Sequence, residues 1–489
     1  MSIIPVIAGF YPDPSVCRVD DTFYLVTSSF EYRPGVPLFT SRNLIDWTPC
    51  GSILRRPEQL TPTPGAASRG VFASTIRHHA GRFWMVTTHY EEIMRGQLIV
   101  SSIDPAGPWS DPAFVQVERG IDPDLAWDED GTCHLTWALT AGGIMSVPVN
   151  PDTGEILGEP RRLWSGTGMA YPEGPHLYRI GDYWYLLIAE GGTERGHSVS
   201  IARARNLAGV WEPGPANPIL SHRSTDHVVQ NTGHADLVQR TDGSWAMVHL
   251  GTRPRGMTPK FHTNGRETFL VGIDWVDGWP LVDEDRFQVP IKDHSFNDDF
   301  TSAELDSRWI SVGVFPEAFT SLQKGGLALS TQPEALARSV LATRVRDLDW
   351  SAEVDIHTGN GSARFAVRID PQHWYGIEVT PGSIEAKLAI GPAVTSVGSI
   401  PRSGTDDVRL RLVARTPPQT DALAFIAPDL VSMEVVPTDG SPTTSFGEFD
   451  GRYLSTEVAG GFTGRVIAVE PLVGEIRLSR FSYRTEREA

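Results

Sequence analysis

The sequence predicts an all-β protein: a five-bladed β-propeller followed by a β-sandwich of the lectin-like jelly-roll type. Three observations carry this expectation. Gly, Pro and Trp are abundant, at 47, 37 and 14 of 489 residues, which suits many short strands joined by turns, and no stretch of helical period stands out. One hairpin-like segment recurs five times. Beyond residue 293 the recurrence stops, and runs of strictly alternating apolar residues take over.

The first copy, Asp13-Pro-Ser-Val-Cys-Arg-Val-Asp-Asp-Thr-Phe-Tyr-Leu-Val-Thr27, aligns without a gap to segments opening at Ala73, Asp122, Glu173 and His234. Each reads as a short strand, a two-residue turn (Asp20-Asp21, Ala80-Gly81, Asp130-Gly131, Gly181-Asp182, Asp242-Gly243) and a second strand, which carries an aromatic residue in all but the third copy. The copies open roughly 50–60 residues apart, enough for one four-stranded sheet each, and so for one propeller blade each. Further strands are expected after each hairpin, as in Leu38–Trp47 and Ser198–Trp211. The propeller is placed at residues 1–293 and the sandwich at 294–489. In the latter Ala352, Val354 and Ile356 alternate with polar neighbours, and similar runs recur at Arg364–Ile369, Val408–Val413 and Glu475–Leu478. Residues 416–445 read as exposed loops interrupted by one strand near Leu430–Val435.

Lys plus Arg total 42 against 60 Asp plus Glu, a net charge of −18. That balance argues against nucleic acid and anionic membrane as partners and favours a small or neutral one. The oligomeric state stays open, a homo-oligomer included. Cys17, Cys50 and Cys133 are odd in number and widely spaced, without CxxC or His pairs, so neither a disulfide framework nor a zinc site is expected, and no metal ligand set is assigned. The opening Met-Ser-Ile-Ile-Pro lacks a basic region followed by an apolar one, so a cytoplasmic location is expected. Asp128-Glu-Asp-Gly131 falls in a hairpin turn, not a calcium loop, and Gly166-Thr-Gly168 lacks the helix of a dinucleotide site.

In a propeller the innermost strands line a central channel, so equivalent positions at their ends gather around the axis. Asp13, Ala73, Asp122, Glu173 and His234 should therefore form one ring holding three carboxyl groups. Crowded carboxylates repel, and at least one should keep its proton at neutral pH, as a general acid must. Glycoside hydrolysis is the reaction class that uses such a set most directly. The blander reading, Asp before Pro as a turn former at Asp13 and Asp122, stays open at this level.

Gly9-Phe-Tyr-Pro-Asp-Pro-Ser15, Gly120-Ile-Asp-Pro-Asp-Leu125, Tyr171-Pro-Glu-Gly-Pro-His-Leu-Tyr178 and Gly233-His-Ala-Asp-Leu237 together resemble glycoside hydrolase family 43. Asp298-Asp-Phe300 and Gly461-Phe-Thr-Gly464 look like the C-terminal sandwich of its β-xylosidase-type members, so the resemblance spans nearly the whole chain. It implies Asp13 as general base, Glu173 as general acid, and Asp122 as the residue that tunes the acid by like-charge repulsion and orients the sugar. It also implies substrate contacts from Arg266, from the axial His234, and from Phe30, Phe72 and Phe462 as aromatic walls. Where the family usually has Trp-Ala-Pro, this chain has Phe72-Ala-Ser74, which leaves the pocket shape open. The implied activity is inverting, exo-acting release of terminal β-D-xylosyl units from xylo-oligosaccharides. The alternatives are α-L-arabinofuranosidase activity and, in another class, a carbohydrate-binding propeller without catalysis. No cofactor is required for such chemistry; a Ca2+ ion in the channel near His234 is left open.

Overall fold

The structure, a computed structural model, describes residues 3–139, 142–332, 337–402, 404, 407–417 and 427–486. Among them the only α-helix is the four-residue Thr456–Ala459; everything else is strand, turn and short 3-10 segment.

Five antiparallel sheets follow one another along the first part of the chain. Blade 1 is Ser15–Val19, Thr22–Val26, Gly35–Ser41 and Thr48–Leu54, and blade 2 is Val71–His79, Arg82–His89, Gln97–Ser102 and Ala113–Val115. Blade 3 comprises Gly120–Trp127, Cys133–Leu139 and Ile144–Asn150, its outer edge shared by Glu155–Ile156 and Arg161–Trp164. Blade 4 is Glu173–Ile180, Tyr183–Glu190, Ser198–Ala204 and Glu212–Pro213, and blade 5 is Gln230–Gln239, Trp245–Thr252, Glu267–Val276 and Trp279–Asp283. The five innermost strands neighbour one another in cyclic order, the first against the fifth. Ile7 bridges Thr268 on the third strand of blade 5, which ties the start of the chain to the last blade.

Alternation along the strands explains this stacking, because successive side chains of a strand feed different inter-blade layers. Trp84 enters the apolar cluster shared with blade 3 and Phe83 the one shared with blade 1; Trp184 and Tyr185 divide likewise between blades 3 and 5. Three of the hairpins turn in two residues as expected. The third and fifth do not: residues 128–132 and 240–244 connect them. In the third, Asp128 accepts from the backbone N–H groups of Asp130 and Thr132, a turn its side chain builds. The strand expected over Leu38–Trp47 stops at Ser41, where the Ser41 and Asn43 side chains cap the backbone N–H groups of Leu44, Ile45 and Asp46. The strand beginning at Ser198 likewise ends at Ala204.

The C-terminal part is two antiparallel sheets face to face, one of eight strands and one of seven that gains an eighth from Tyr32–Arg33. Trp350–His357 alternates buried and half-buried residues as its sequence pattern requires, and Trp350, Ala352, Val354 and Ile356, with Phe481 beside them in the same sheet, pack with Phe365, Val367 and Ile467 of the other sheet in an apolar cluster. The strand at Leu430–Val435 is present, followed by a second at Thr444–Asp450; residues 418–426 of the expected loop lie outside the described residues.

The two parts share a sheet. Tyr32–Arg33, from blade 1's connecting loop, pairs with Ile310–Val312 at the edge of one sandwich sheet. Phe10 and Tyr32 join Ile310, Val312, Val340, Ala342, Val466 and Ala468 in an apolar seam, and the Arg344 side chain donates to the Phe10 carbonyl at 3.1 Å. The sandwich is therefore built onto the propeller without a free linker.

Candidate active site

At the rim of the channel the inner strands break register. Bulges fall between Ile121 and Asp124, between Glu173 and His176, and around Gly233, each re-aiming the side chain at the strand start toward the axis. Asp13, Asp122 and His234 sit at φ of 56°, 57° and 44°, a left-handed conformation that Asp and His tolerate better than most residues. Phe30 adopts φ 51°, which is strained for a bulky residue, and it is held there by reciprocal backbone bonds to Val71. Gly70 lets that approach happen: a Cβ there would meet the Phe30 carbonyl at 2.2 Å.

These strands bring all eight residues expected from the sequence to one pocket of about 60 Å³, lined by Asp13, Phe30, Phe72, Asp122, Glu173, His234, Arg266 and Phe462 with Ala73, Ile121 and Thr193. Asp13 accepts from Arg266 Nη1 at 2.8 Å and from Ser28 Oγ at 2.5 Å, with His234 Nδ1 at 3.7 Å. Burial would raise its carboxyl, but Arg266, His234 and the Ser28 hydroxyl outweigh that and hold it below the ordinary 3.8. Asp13 is ionised. Glu173 is pushed the other way, to about 7, by burial and then by the Asp13 charge. Asp122 is raised well above its ordinary value by burial, then by Glu173 and Asp13.

Asp122 and Glu173 act on each other as a proton-holding pair, with the Asp13 charge adding to both. Asp122 is tied down by the Gly174 N–H at 3.1 Å and is 7% exposed, whereas the Glu173 side chain is 20% exposed. Of the two, Glu173 is the group that can hand its proton to a ligand.

Phe462 arrives from the sandwich. Its N–H donates to Ser68 Oγ at 2.8 Å, its carbonyl accepts from Arg266 Nη2 at 3.4 Å, and its ring lies 5.8 Å from Phe30 and 6.0 Å from Phe72. Gly461 is needed beside it, since a Cβ would come within 2.4 Å of Ser68 Oγ. Phe72 is backed by Tyr90, stacked at 4.9 Å.

Two residues escaped the sequence reading. Thr193, in the loop after the second strand of blade 4, accepts from Arg266 Nη1 at 2.9 Å. His197 ends the same loop, just before the third strand of that blade; its Nδ1 faces the Asn231 carbonyl at 3.1 Å and its Nε2 lies 3.7 Å from Glu173 Oε1. Burial lowers His197 to about 3 and His234 to about 4, so both rings are neutral. Neither Thr193 nor His197 occupies the repeated inner-strand position, which was the only signal available.

The channel below the ring is closed by a protein cation. Arg77 bonds Asp124 and Asp236 at 2.9 and 2.8 Å and His176 Nδ1 at 2.9 Å. Calcium prefers six to eight oxygens. Near His234 stand Asp13, whose oxygens already serve Arg266 and Ser28, and Asp236, whose oxygens serve Arg77, Ser15 and Tyr178, so this donor set does not fit the ion.

Beside the pocket, a groove of about 510 Å³ shares Thr193, Arg266 and Phe462 with it and runs over Arg195, His262 and Glu457. Among the described residues no helix is long and apolar enough to cross a membrane.

The signature described as Glycosyl hydrolases family 43 matches residues 3–280, and that of the beta xylosidase C-terminal concanavalin A-like domain matches residues 297–469. A non-reducing end alpha-L-arabinofuranosidase from Bacteroides ovatus is 34% identical over 95% of this chain and 90% of its own length. A xylosidase/arabinosidase from Butyrivibrio fibrisolvens is 40% identical over 68% of this chain and 69% of its own. The solved structure titled Bacteroides ovatus Xyloglucan PUL GH43B superposes with a TM-score of 0.88 at 31% identity, covering 99% of both chains. With a propeller that carries the family's carboxylate motifs and a sandwich of the matching type, the chain belongs to glycosyl hydrolase family 43 and is a glycoside hydrolase of the xylosidase/arabinofuranosidase kind.

Proposed function

We propose that the enzyme is an exo-acting, inverting β-xylosidase that removes terminal β-D-xylosyl units from short xylo-oligosaccharides. The observation that carries this reading is the opposed protonation of two carboxyl groups in one pocket: Asp13 below its ordinary value, Glu173 at about 7. Asp13 takes the proton of a water attacking the anomeric carbon, while Glu173 gives its proton to the departing glycosidic oxygen. The two begin the first and fourth blades, which are not adjacent in a five-membered ring, and an inverting pair needs the ~6.5–9.5 Å separation that admits water. Arg266 keeps Asp13 ionised and turned toward the pocket. Asp122 shares the proton with Glu173 and accepts sugar hydroxyl groups. Phe30, Phe72 and Phe462 offer apolar faces to the C–H side of the ring, and His234 offers a neutral imidazole. All these steps run on protein groups alone. The small pocket suits one terminal sugar, and the adjoining groove suits the remainder of the chain.

A second reading, α-L-arabinofuranosidase, is favoured by the Bacteroides ovatus relative, which matches nearly the full length under that name. The choice is tested by kcat/KM on aryl β-D-xyloside against aryl α-L-arabinofuranoside. A ratio above one supports the first reading, and a ratio below one supports the second. Proton NMR of the first sugar released from the β-xyloside should show the α-anomer; initial β-anomer would remove Asp13 from the base role.

A further inference from the structure

Remote from the carboxylate ring, three potential metal ligands converge where the chain enters and leaves blade 5. His222 and His227 lie in the loop before Gln230–Gln239, and Glu284 follows the outermost strand Trp279–Asp283. One ligand atom from each lies within 4.8 Å of the other two. The His222 and His227 rings are 4.0 Å apart between centroids.

Their hydrogen bonding leaves a proton deficit. His222 Nδ1 faces the Val229 carbonyl at 2.8 Å, and its Nε2 faces Glu284 Oε2 at 2.8 Å. A neutral imidazole has one N–H and cannot donate to both. His227 Nδ1 faces the same carbonyl at 2.9 Å and the Val229 N–H at 3.1 Å, while its Nε2 is buried with no hydrogen-bond partner. A metal ion resolves the arrangement. If both Nδ1 atoms carry a proton toward the Val229 carbonyl, with the Val229 N–H giving up its contact to His227 Nδ1, both Nε2 lone pairs are free, and a backbone carbonyl orienting the far nitrogen is the usual support for a ligating histidine.

We propose that His222 Nε2, His227 Nε2 and the Glu284 carboxylate bind one divalent transition-metal ion, with zinc the best match. Two imidazoles and one carboxylate suit zinc, whereas calcium and magnesium prefer all-oxygen shells. The fourth position falls to water. The ion staples the entry of blade 5 to its exit. It steadies the loop whose Ser224 and Thr225, with Gln230 and Asn231 just beyond, line a neighbouring groove of about 740 Å³. The cysteine count could not reveal such a site, since it uses none.

The test is zinc titration by calorimetry on untagged, chelator-dialysed full-length enzyme, beside His227→Ala and Glu284→Gln. One equivalent should bind at about micromolar affinity or tighter. Each variant should bind more than ~10-fold more weakly. Thermal melting without metal checks that the variants remain folded, and zinc should raise Tm only in the parent. Cobalt(II) gives an independent signature: visible absorption of a four- or five-coordinate nitrogen/oxygen site, absent in His227→Ala. No binding at about 100 μM zinc, or parent-like binding by both folded variants, would overturn the proposal.

Discussion

The propeller and the sandwich are both all-β, yet they fill their centres with opposite chemistry. The sandwich packs an apolar cluster between its sheets, and ion pairs such as Arg409–Asp355 and Arg364–Glu378 are part-exposed; its fully buried pair, Arg465–Asp429, lies where Arg255 of the propeller reaches Asp429. The propeller axis instead buries Arg77, Asp124, Asp236 and His176 below Asp13, Asp122, Glu173 and His234. Burying charge costs stability unless every group is paired. The axis bears that cost where the chemistry is, while the sandwich supplies hydrophobic stability and a single aromatic ring, Phe462, to the pocket.

The largest effect should come from Asp13→Asn. It keeps the shape but loses the base, so kcat on β-xyloside should fall about 10²–10⁴-fold, with a lowered melting point because buried Arg266 loses its charge partner. Next, the two centres should answer unequally to apolar substitution. Arg77→Met leaves Asp124 and Asp236 uncompensated and should cost about 3–5 kcal/mol in denaturant unfolding. Phe365→Leu in the sandwich should cost less, near 1.5 kcal/mol. Equal costs would dissolve the contrast.

Glu173→Gln sharpens the point on stability. The Glu173 carboxyl is raised from 4.5 to about 7 in the folded state, so its favourable contribution is complete below pH 4.5 and is lost as pH rises through about 7. At pH 8 the parent carries a disfavoured buried charge that Gln does not, worth about 3 kcal/mol. The variant should melt above the parent at pH 8 and level with it at pH 4. Smaller still is Phe462→Ala: it should raise KM about 10-fold while leaving Tm nearly unchanged, because Phe462 is 36% exposed and lies outside the sandwich core.

Most of the architecture was legible because a repeated hairpin states its own period. The shared repeat position of Asp13, Asp122, Glu173 and His234 by itself places them in one ring. Other features left no local trace. The pairing of Tyr32–Arg33 with Ile310–Val312 joins segments far apart in sequence. Thr193 and His197 reach the site from loops outside the repeat. The five-residue connections in blades 3 and 5 hide behind Asp-Gly pairs that look like tight turns. The proton balance between Asp122 and Glu173 depends on burial and on Asp13, which spacing cannot show.

The division of labour between Asp13 and Glu173 is tested most directly by the pH dependence of kcat/KM for the parent and Glu173→Ala on an aryl β-xyloside with a good leaving group. The parent should follow a bell whose acid limb lies below 3.8, from Asp13, and whose basic limb lies at about 7, from Glu173. In Glu173→Ala the basic limb should vanish, with activity on the aryl substrate falling far less than on xylobiose. A basic limb at about 7 that persists in the variant, or equal losses on both substrates, would contradict the assignment of Glu173 as the acid.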